Sequence, residues 1–356
     1  MTSVPSSMPS ITSSPTAAVC GVTVLQPVIL DGSHDCDCTD SPAVVVMGTG
    51  VEFNLNSFTV ACMAGSQPVI VVDGISNSVR GRLRDQALGG GNGAKGSIVG
   101  SQSTQTRIQL RGSGNHTVQD LAICLADARA RPVDQVGVQI ESSGNTVDSC
   151  NIDSPSLSNP LSHPGKQIGI RVNGDMNTLS SNYISVQNDG SRNYGIQSSG
   201  DNCLIIGNVI SEGYGGILLE WGSCQVLGNA ISAQQHAALE VTGGTHTLSG
   251  NTITKSNFGI ALTSNSGPES VIDNNTISFT EVGIYCEDAI FFLRDITADG
   301  IRLLRSSFSS ISGNAIQNCG DDAIDLLGSS NVTVVDNTLV NSKYGVWSVN
   351  ASSLAI

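Results

Sequence analysis

The sequence predicts an all-β fold, a right-handed single-stranded parallel β-helix with coils of roughly 22 residues and three parallel sheets. Three observations predict it. One line recurs along the chain with little change: IGNVISEGYGGILLE, LGNAISAQQHAALEV, SGNTITKSNFGIAL, SGNAIQNCGDDAIDLL and VDNTLVNSKYGVWSV. Inside each copy, runs such as CLIIGNVIS and GGILLE are short, β-branched and bounded by Gly, Ser and Asn, and no helical period persists. The composition, 39% hydrophobic but only 4% aromatic, favours short strands and tight turns over thick helical cores.

The repeat comes first because it decides the architecture. From about Gly144 onward the units are mostly 21 to 26 residues long, a period at which one unit is one turn of a solenoid. A single turn cannot bury its own apolar face, so stacking is obligatory. Short strands that return to the same place one turn later pair in parallel and build long sheets. Each unit carries an Asn, at Asn151, Asn182, Asn208, Asn229, Asn251, Asn275, Asn314 and Asn337. At the bend between two sheets such an Asn is expected to take left-handed dihedrals and to bond to its equivalents above and below.

Along the chain, residues 1–19 read as a disordered or extended segment, and 20–356 as one β-helix domain. That domain is expected to begin with a disulfide-stapled cap (20–62) and to carry an insertion near 287–306. DQALGGGNGAKGS, around 85–97, reads as a Gly-rich loop. Its G-x-G-x-x-G match, Gly91 to Gly96, follows no strand and opens no helix, so it lacks the context of a nucleotide site.

Ten cysteines, an even number, fit an oxidising compartment. Cys203 and Cys224 fall at matching places one unit apart, so stacking predicts a disulfide between them. Cys20, Cys36, Cys38 and Cys62 staple the cap, with three connectivities open. In HDCDC, from His34 to Cys38, disulfides are preferred to a zinc site. Sequons at Asn115, Asn274, Asn331 and Asn350 are compatible with secretion. The N-terminus has no basic region followed by an apolar core, and a mature or trimmed secreted chain with an added Met is expected. No apolar stretch is long enough to span a bilayer.

A net charge of −14 argues against a nucleic-acid partner, which needs a basic surface. An acidic polysaccharide remains compatible if a few Arg and Lys are focused in one groove, or if Ca²⁺ bridges carboxylates. The units align on their Gly-Ile step, which generates two outward columns. Lys166, Arg192 with Tyr194, Tyr214, His236, Phe258, Glu281, Asp322 and Lys343 with Tyr344 form the first. The second runs through Arg171, Gln197, Leu218, Glu240, Ala261, Tyr285, Asp325 and Trp347.

With coils about 4.8 Å apart, Arg192, Tyr214 and His236 would stand in line on three successive turns. These are the catalytic candidates. An Arg neutralises a uronate carboxylate and eases removal of the adjacent C5 proton; His236 takes that proton, and Tyr214 serves the other side. Arg171, Lys166, Glu240, Gln197 and Tyr194 are the candidates for holding substrate. Asp321, Asp322 and Asp325, with Glu287 and Asp288 one interrupted turn away, are the candidate Ca²⁺ ligands.

These repeats resemble those of the pectin-lyase-like superfamily of right-handed parallel β-helices. The opening CGVTVLQPVILDGSHDCDCTDSPAVVVMGTGVEFNLNSFTVAC is similar to the start common in its secreted members. The superfamily includes polysaccharide lyases, glycoside hydrolases, uronan C5-epimerases and noncatalytic proteins. GDDAIDLLGSSN is similar to the Gly-Asp-Asp of polygalacturonases, but the accompanying Asn-Thr-Asp, Gly-His-Gly and Arg-Ile-Lys elements are missing. The Asp-Pro-His-Asp motif of bacterial alginate epimerases is also absent. The expectation is an extracellular protein acting on a uronic-acid polysaccharide as C5-epimerase or lyase. The alternative is a noncatalytic structural, adhesion or glycan-binding β-helix, and self-association along the helix axis or edge is a further expectation.

Overall fold

A computed structural model describes residues 20–81, 95–101, 103, 105–125, 134–154, 165–187, 192–263, 270–289, 291–294, 297–298, 300–306, 308–317 and 322–356. The segment 1–19, most of the Gly-rich loop and Asp321 lie outside these residues. The chain falls into two compact units, Met1–Ser191 and Arg192–Ile356. No helix occurs among the described residues. Among the described residues, each of three parallel sheets holds six strands in the first unit, and in the second they hold eight, seven and seven.

Among the described residues each coil but the last contributes one strand to each sheet, the last adds Tyr344–Val349 to the first sheet alone, and all pairing is parallel. The register explains the repeat, because equivalent apolar residues land on one another. Val44, Ile70, Ile108, Val138 and Ile170 form one interior column in the first unit. Ile196, Ile217, Leu239, Ile260, Ile284, Ile301 and Ile324 form its counterpart in the second. All of these are buried. Truncating one such Ile or Leu to Ala costs about 2–5 kcal/mol, since close-packed neighbours relax only partly around the cavity.

Side-chain ladders close the corners. Between the second and third sheets, Asn208 Nδ2 donates to Asn229 Oδ1 (2.9 Å), Asn229 Nδ2 to Asn251 Oδ1 (3.0 Å), and Asn251 Nδ2 to Asn275 Oδ1 (2.9 Å). Asn314 and Asn337 repeat the arrangement at 2.9 Å. Two details differ from expectation. The left-handed dihedral falls on the residue before the ladder Asn, at Gly207, Gly228, Gly250 and Asn274, so the Asn itself is freed to aim its amide along the stack. At the beginning of the ladder Cys150, not Asn151, is the equivalent residue: its N–H donates to Asn182 Oδ1 at 3.0 Å, while Asn151 pairs with Tyr183.

A second ladder lies at the corner that enters the second sheet. In the first unit the N–H of Val51 donates to Asn77 Oδ1, that of Asn77 to His116 Nδ1, that of His116 to Asn145 Oδ1, and that of Asn145 to Asn177 Oδ1, at 2.8–3.2 Å. In the second unit Cys224 N–H donates to His246 Nδ1 (3.1 Å), and His246 N–H to Ser270 Oγ (3.2 Å). Because Nδ1 accepts, Nε2 carries the proton and donates to a carbonyl, Arg111 for His116 and Gly243 for His246, both at 2.7 Å. His116 and His246 are thus neutral ladder residues doing the work of Asn.

The segment 287–306, expected as an insertion, is itself a coil. Its strands Phe291–Arg294, Thr297–Ala298 and Ile301–Leu304 enter all three sheets in register. It escaped the repeat because it lacks the N-x-I signature. The region 20–62 likewise contains strands in all three sheets, tied by Cys20–Cys36 and Cys38–Cys62. Cys203 and Cys224, register partners, form the third disulfide.

Burial lowers the imidazole pKa of both ladder histidines; the bonded carbonyl and a nearby carboxylate, Asp73 for His116 and Asp201 for His246, oppose it. The unfolded chain takes up these protons below about pH 6.5, whereas the folded ladder resists them. Stability from this source is therefore present above that pH and lost as pH falls through the lowered folded values. Urea unfolding on either side of about pH 6.5 should show acid destabilisation that the double variant His116→Asn/His246→Asn reduces. An unchanged pH dependence would contradict the ladder role.

Candidate functional site

The second unit places a row of rings along the outer face of its first sheet. Tyr214 and His236 stack at 4.9 Å between centroids with 27° between planes. Tyr194 meets Tyr214 edge-on at 5.8 Å, Phe258 meets His236 edge-on at 5.5 Å, and Tyr285 follows Phe258 at 5.4 Å. The coil spacing sets these separations. Backbone bonds hold the line: His236 N–H donates to Tyr214 C=O (2.8 Å) and Phe258 N–H to His236 C=O (2.9 Å).

Beside the rings runs the second expected column, now with pairing partners. Gln197, Leu218, Glu240, Ala261, Tyr285, Arg302, Asp325 and Trp347 are successive register partners. Arg302 is the addition, supplied by the unrecognised coil. In the first column the strand register of Tyr194 and Phe258 matches Gly215 and Ala237, one residue after Tyr214 and His236. Gly215 is required there, because a Cβ would collide with the Tyr194 ring lying over it.

That ring reaches two coils along the axis. Tyr194 Oη donates to Glu240 Oε2 at 2.7 Å, and the same oxygen lies 3.8 Å from His236 Nε2. Tyr194 is 3% exposed, and its phenol is pushed well above the ordinary tyrosine range, first by burial and then by the Glu240 charge and hydrogen bond; the Arg192 cation acts in the opposite direction. Tyr194 therefore keeps its proton and orients Glu240. His236 and Tyr214 are part-exposed. Arg192 is exposed immediately before the strand Tyr194–Ser198. Gln197 Nε2 donates to Glu220 Oε2 at 2.9 Å.

The sequence candidates thus divide. Tyr194, Tyr214, His236 and Glu240 meet, with Arg192 close enough for its charge to reach Tyr194. Lys166 and Arg171 belong to the first unit. There Arg171 lines a cleft of about 910 Å³ with Gln109, Gln139, Asp134 and Glu141. Of the carboxylates named for Ca²⁺, three are paired with arginines: Arg302 Nε bonds Asp325 at 3.0 Å, and Arg305 bridges Asp288 (3.1 Å) and Glu287; Asp321 lies outside the described residues. Among the described residues no group of three or more metal-ligating side chains gathers. Phe258 and Tyr285 complete the ring row although they were not site candidates; their positions in the two columns were the available signal.

Three stacked parallel sheets with a patterned outer face define a β-helix protein, and the family comparison agrees. The profile described as "Right handed beta helix region" matches residues 136–289 and 195–356. The chain belongs to this family. No curated protein matches it in sequence. Among solved structures it is similar to a PL6 alginate lyase in complex with a trisaccharide, at 15% identity and TM-score 0.50, over 92% of this chain and 68% of that one. A tailspike protein mutant of E. coli bacteriophage HK620 in complex with a hexasaccharide is similar at 11% identity and TM-score 0.52, over 93% and 68%. At these identities the likeness is one of fold.

Removing the Tyr194 hydroxyl leaves Glu240 without its donor. Tyr194→Phe should lower unfolding stability by about 1.5–3 kcal/mol, the range for a hydrogen bond to a charged group. Denaturant titration checks this, and a change near zero would remove Tyr194 from its orienting role.

Proposed function

We propose that this chain is an extracellular carbohydrate-active protein that acts on a uronic-acid polysaccharide by abstracting the C5 proton, as lyase or C5-epimerase. The observation that carries the proposal is the part-exposed Tyr214–His236 stack, backed by Glu240 at 3.8 Å from the imidazole. In this reading Arg192 pairs with the uronate carboxylate and offsets the negative charge that develops as the C5–H bond breaks. His236 accepts the proton, and Glu240 stabilises the imidazolium that results. If Tyr214 then protonates O4 as the C4–O4 bond breaks, a C4=C5 double bond forms and the chain is cut. If a proton returns to C5 from the opposite face, the sugar is epimerised. Tyr194 takes no part as an acid, because its proton is held by Glu240.

Support comes from several sides. Three disulfides suit an oxidising, extracellular setting. Two fold neighbours are named in complexes with saccharides. The Ca²⁺ expectation enters only as a bridging ion for substrate. A second reading, a noncatalytic glycan-binding face, is favoured by one observation: the ring row continues through Phe258 and Tyr285, beyond the residues that the chemistry uses. Ring faces hold sugars without transforming them.

Incubation with alginate and pectate, with and without Ca²⁺, separates the readings when unsaturated ends are followed by absorbance and epimers by NMR. Wild type should form one or the other product. His236→Ala and Tyr214→Phe should each lower turnover by about 10²–10⁴-fold, the usual contribution of general acid–base catalysis. Uronan binding without turnover would establish the noncatalytic reading, and absence of both would end the proposal.

A further inference from the structure

The cleft in the first unit is chemically unlike the ring row. Its floor is a column on the first sheet, where Gln109, Gln139 and Arg171 are register partners on three successive coils. Asp134 and Glu141 also line it, and no aromatic residue does so among the described residues. At about 910 Å³ it falls within the range, roughly 300–1,000 Å³, of clefts that hold small organic ligands. The lining is a set of amides, carboxylates and one guanidinium, with Val136 as its largest apolar side chain.

We propose that this cleft is a separate binding site for an uncharged, hydroxyl-rich oligosaccharide. Two features choose the ligand. Hydrogen bonding dominates the lining. Gln109 Nε2 already donates to Glu141 Oε2 (3.0 Å), and Asp134 Oδ1 accepts the backbone N–H of Lys166 (2.9 Å), so both carboxylates are fixed as acceptors. Among the described residues each has a second oxygen without a hydrogen-bond partner, open to sugar hydroxyls. Gln139, 8% exposed, offers both a donor and an acceptor from the floor. Arg171 supplies the guanidinium, and its buried Nε–H meets no acceptor among the described residues.

Charge makes the second choice. Among the described lining residues, Asp134 and Glu141 face a single Arg171, within a chain of net charge −14. A carboxylated sugar would meet repulsion that an uncharged one avoids. The site is thus independent of the uronan chemistry proposed for the second unit. A polymer containing both uncharged sugars and uronates would engage each site through different residues.

Calorimetric titration of the full chain tests this with cello-, xylo- and manno-oligosaccharides beside oligouronates of equal length. An uncharged oligosaccharide should bind wild type and His236→Ala equally. Its affinity should fall at least about tenfold, the equivalent of one or two lost hydrogen bonds, in Arg171→Met and in Gln139→Leu. Thermal unfolding must show both variants folded. Asp134→Asn/Glu141→Gln should gain oligouronate affinity relative to wild type. The inference is overturned if no uncharged oligosaccharide of the panel binds, if binding ignores Arg171 and Gln139, or if oligouronates bind this cleft better. Failure of the ring-row reading would appear separately, as absent uronan turnover with these affinities intact.

Discussion

Coil-to-coil hydrogen bonding is the constraint on which the molecule depends. Among the described residues no strand pairs with another strand of its own coil. A coil's strands find their sheet partners in the coils before and after, and its corner side chains join neighbouring coils through the Asn and His ladders while also bonding carbonyls of their own coil. A buried amide without a partner costs more than most single contacts return, so register is enforced at several points of each turn. The same enforcement makes the sequence repeat. A position that faces the interior in one coil faces it in the next, and an apolar side chain is demanded again.

The candidate site is a by-product of that register. Tyr194 and Glu240 are 46 residues apart in sequence, and they meet because two coils of stacking carry one within reach of the other. The ring separations of 4.9 to 5.8 Å arise in the same way. Precision of this kind comes without a dedicated loop. A face of parallel strands holds its side chains at fixed intervals, and only the residue types remain for selection to vary. In the first unit the choice was amide and guanidinium, and in the second it was aromatic.

The fold was legible because periodicity survives in a single sequence: the apolar columns, the Cys203–Cys224 partnership and most of the outward column all follow from counting. Errors came where counting slipped. The coil at 287–306 has no N-x-I, so it passed for an insertion. Its loss placed Asp325 next to Tyr285 and hid Arg302, the residue that pairs with Asp325. Asn151 was mistaken for Cys150 by one residue, because a motif with Asn before Ile does not reveal which atom enters the corner. The Tyr194–Glu240 bond was illegible for a different reason. It runs lengthwise across two coils over Gly215, and side-chain direction along the axis leaves no mark in residue spacing.

The covalent bond between Cys203 and Cys224 joins register partners on consecutive coils, with a sequence separation of 21. It encloses nearly one complete circuit of the chain. A protease that cuts anywhere inside that circuit severs the backbone but frees neither end. The fragments stay threaded together, still paired by their sheets, and part only when a reductant opens the ring. In this stretch the fold behaves like a link of chain rather than a string.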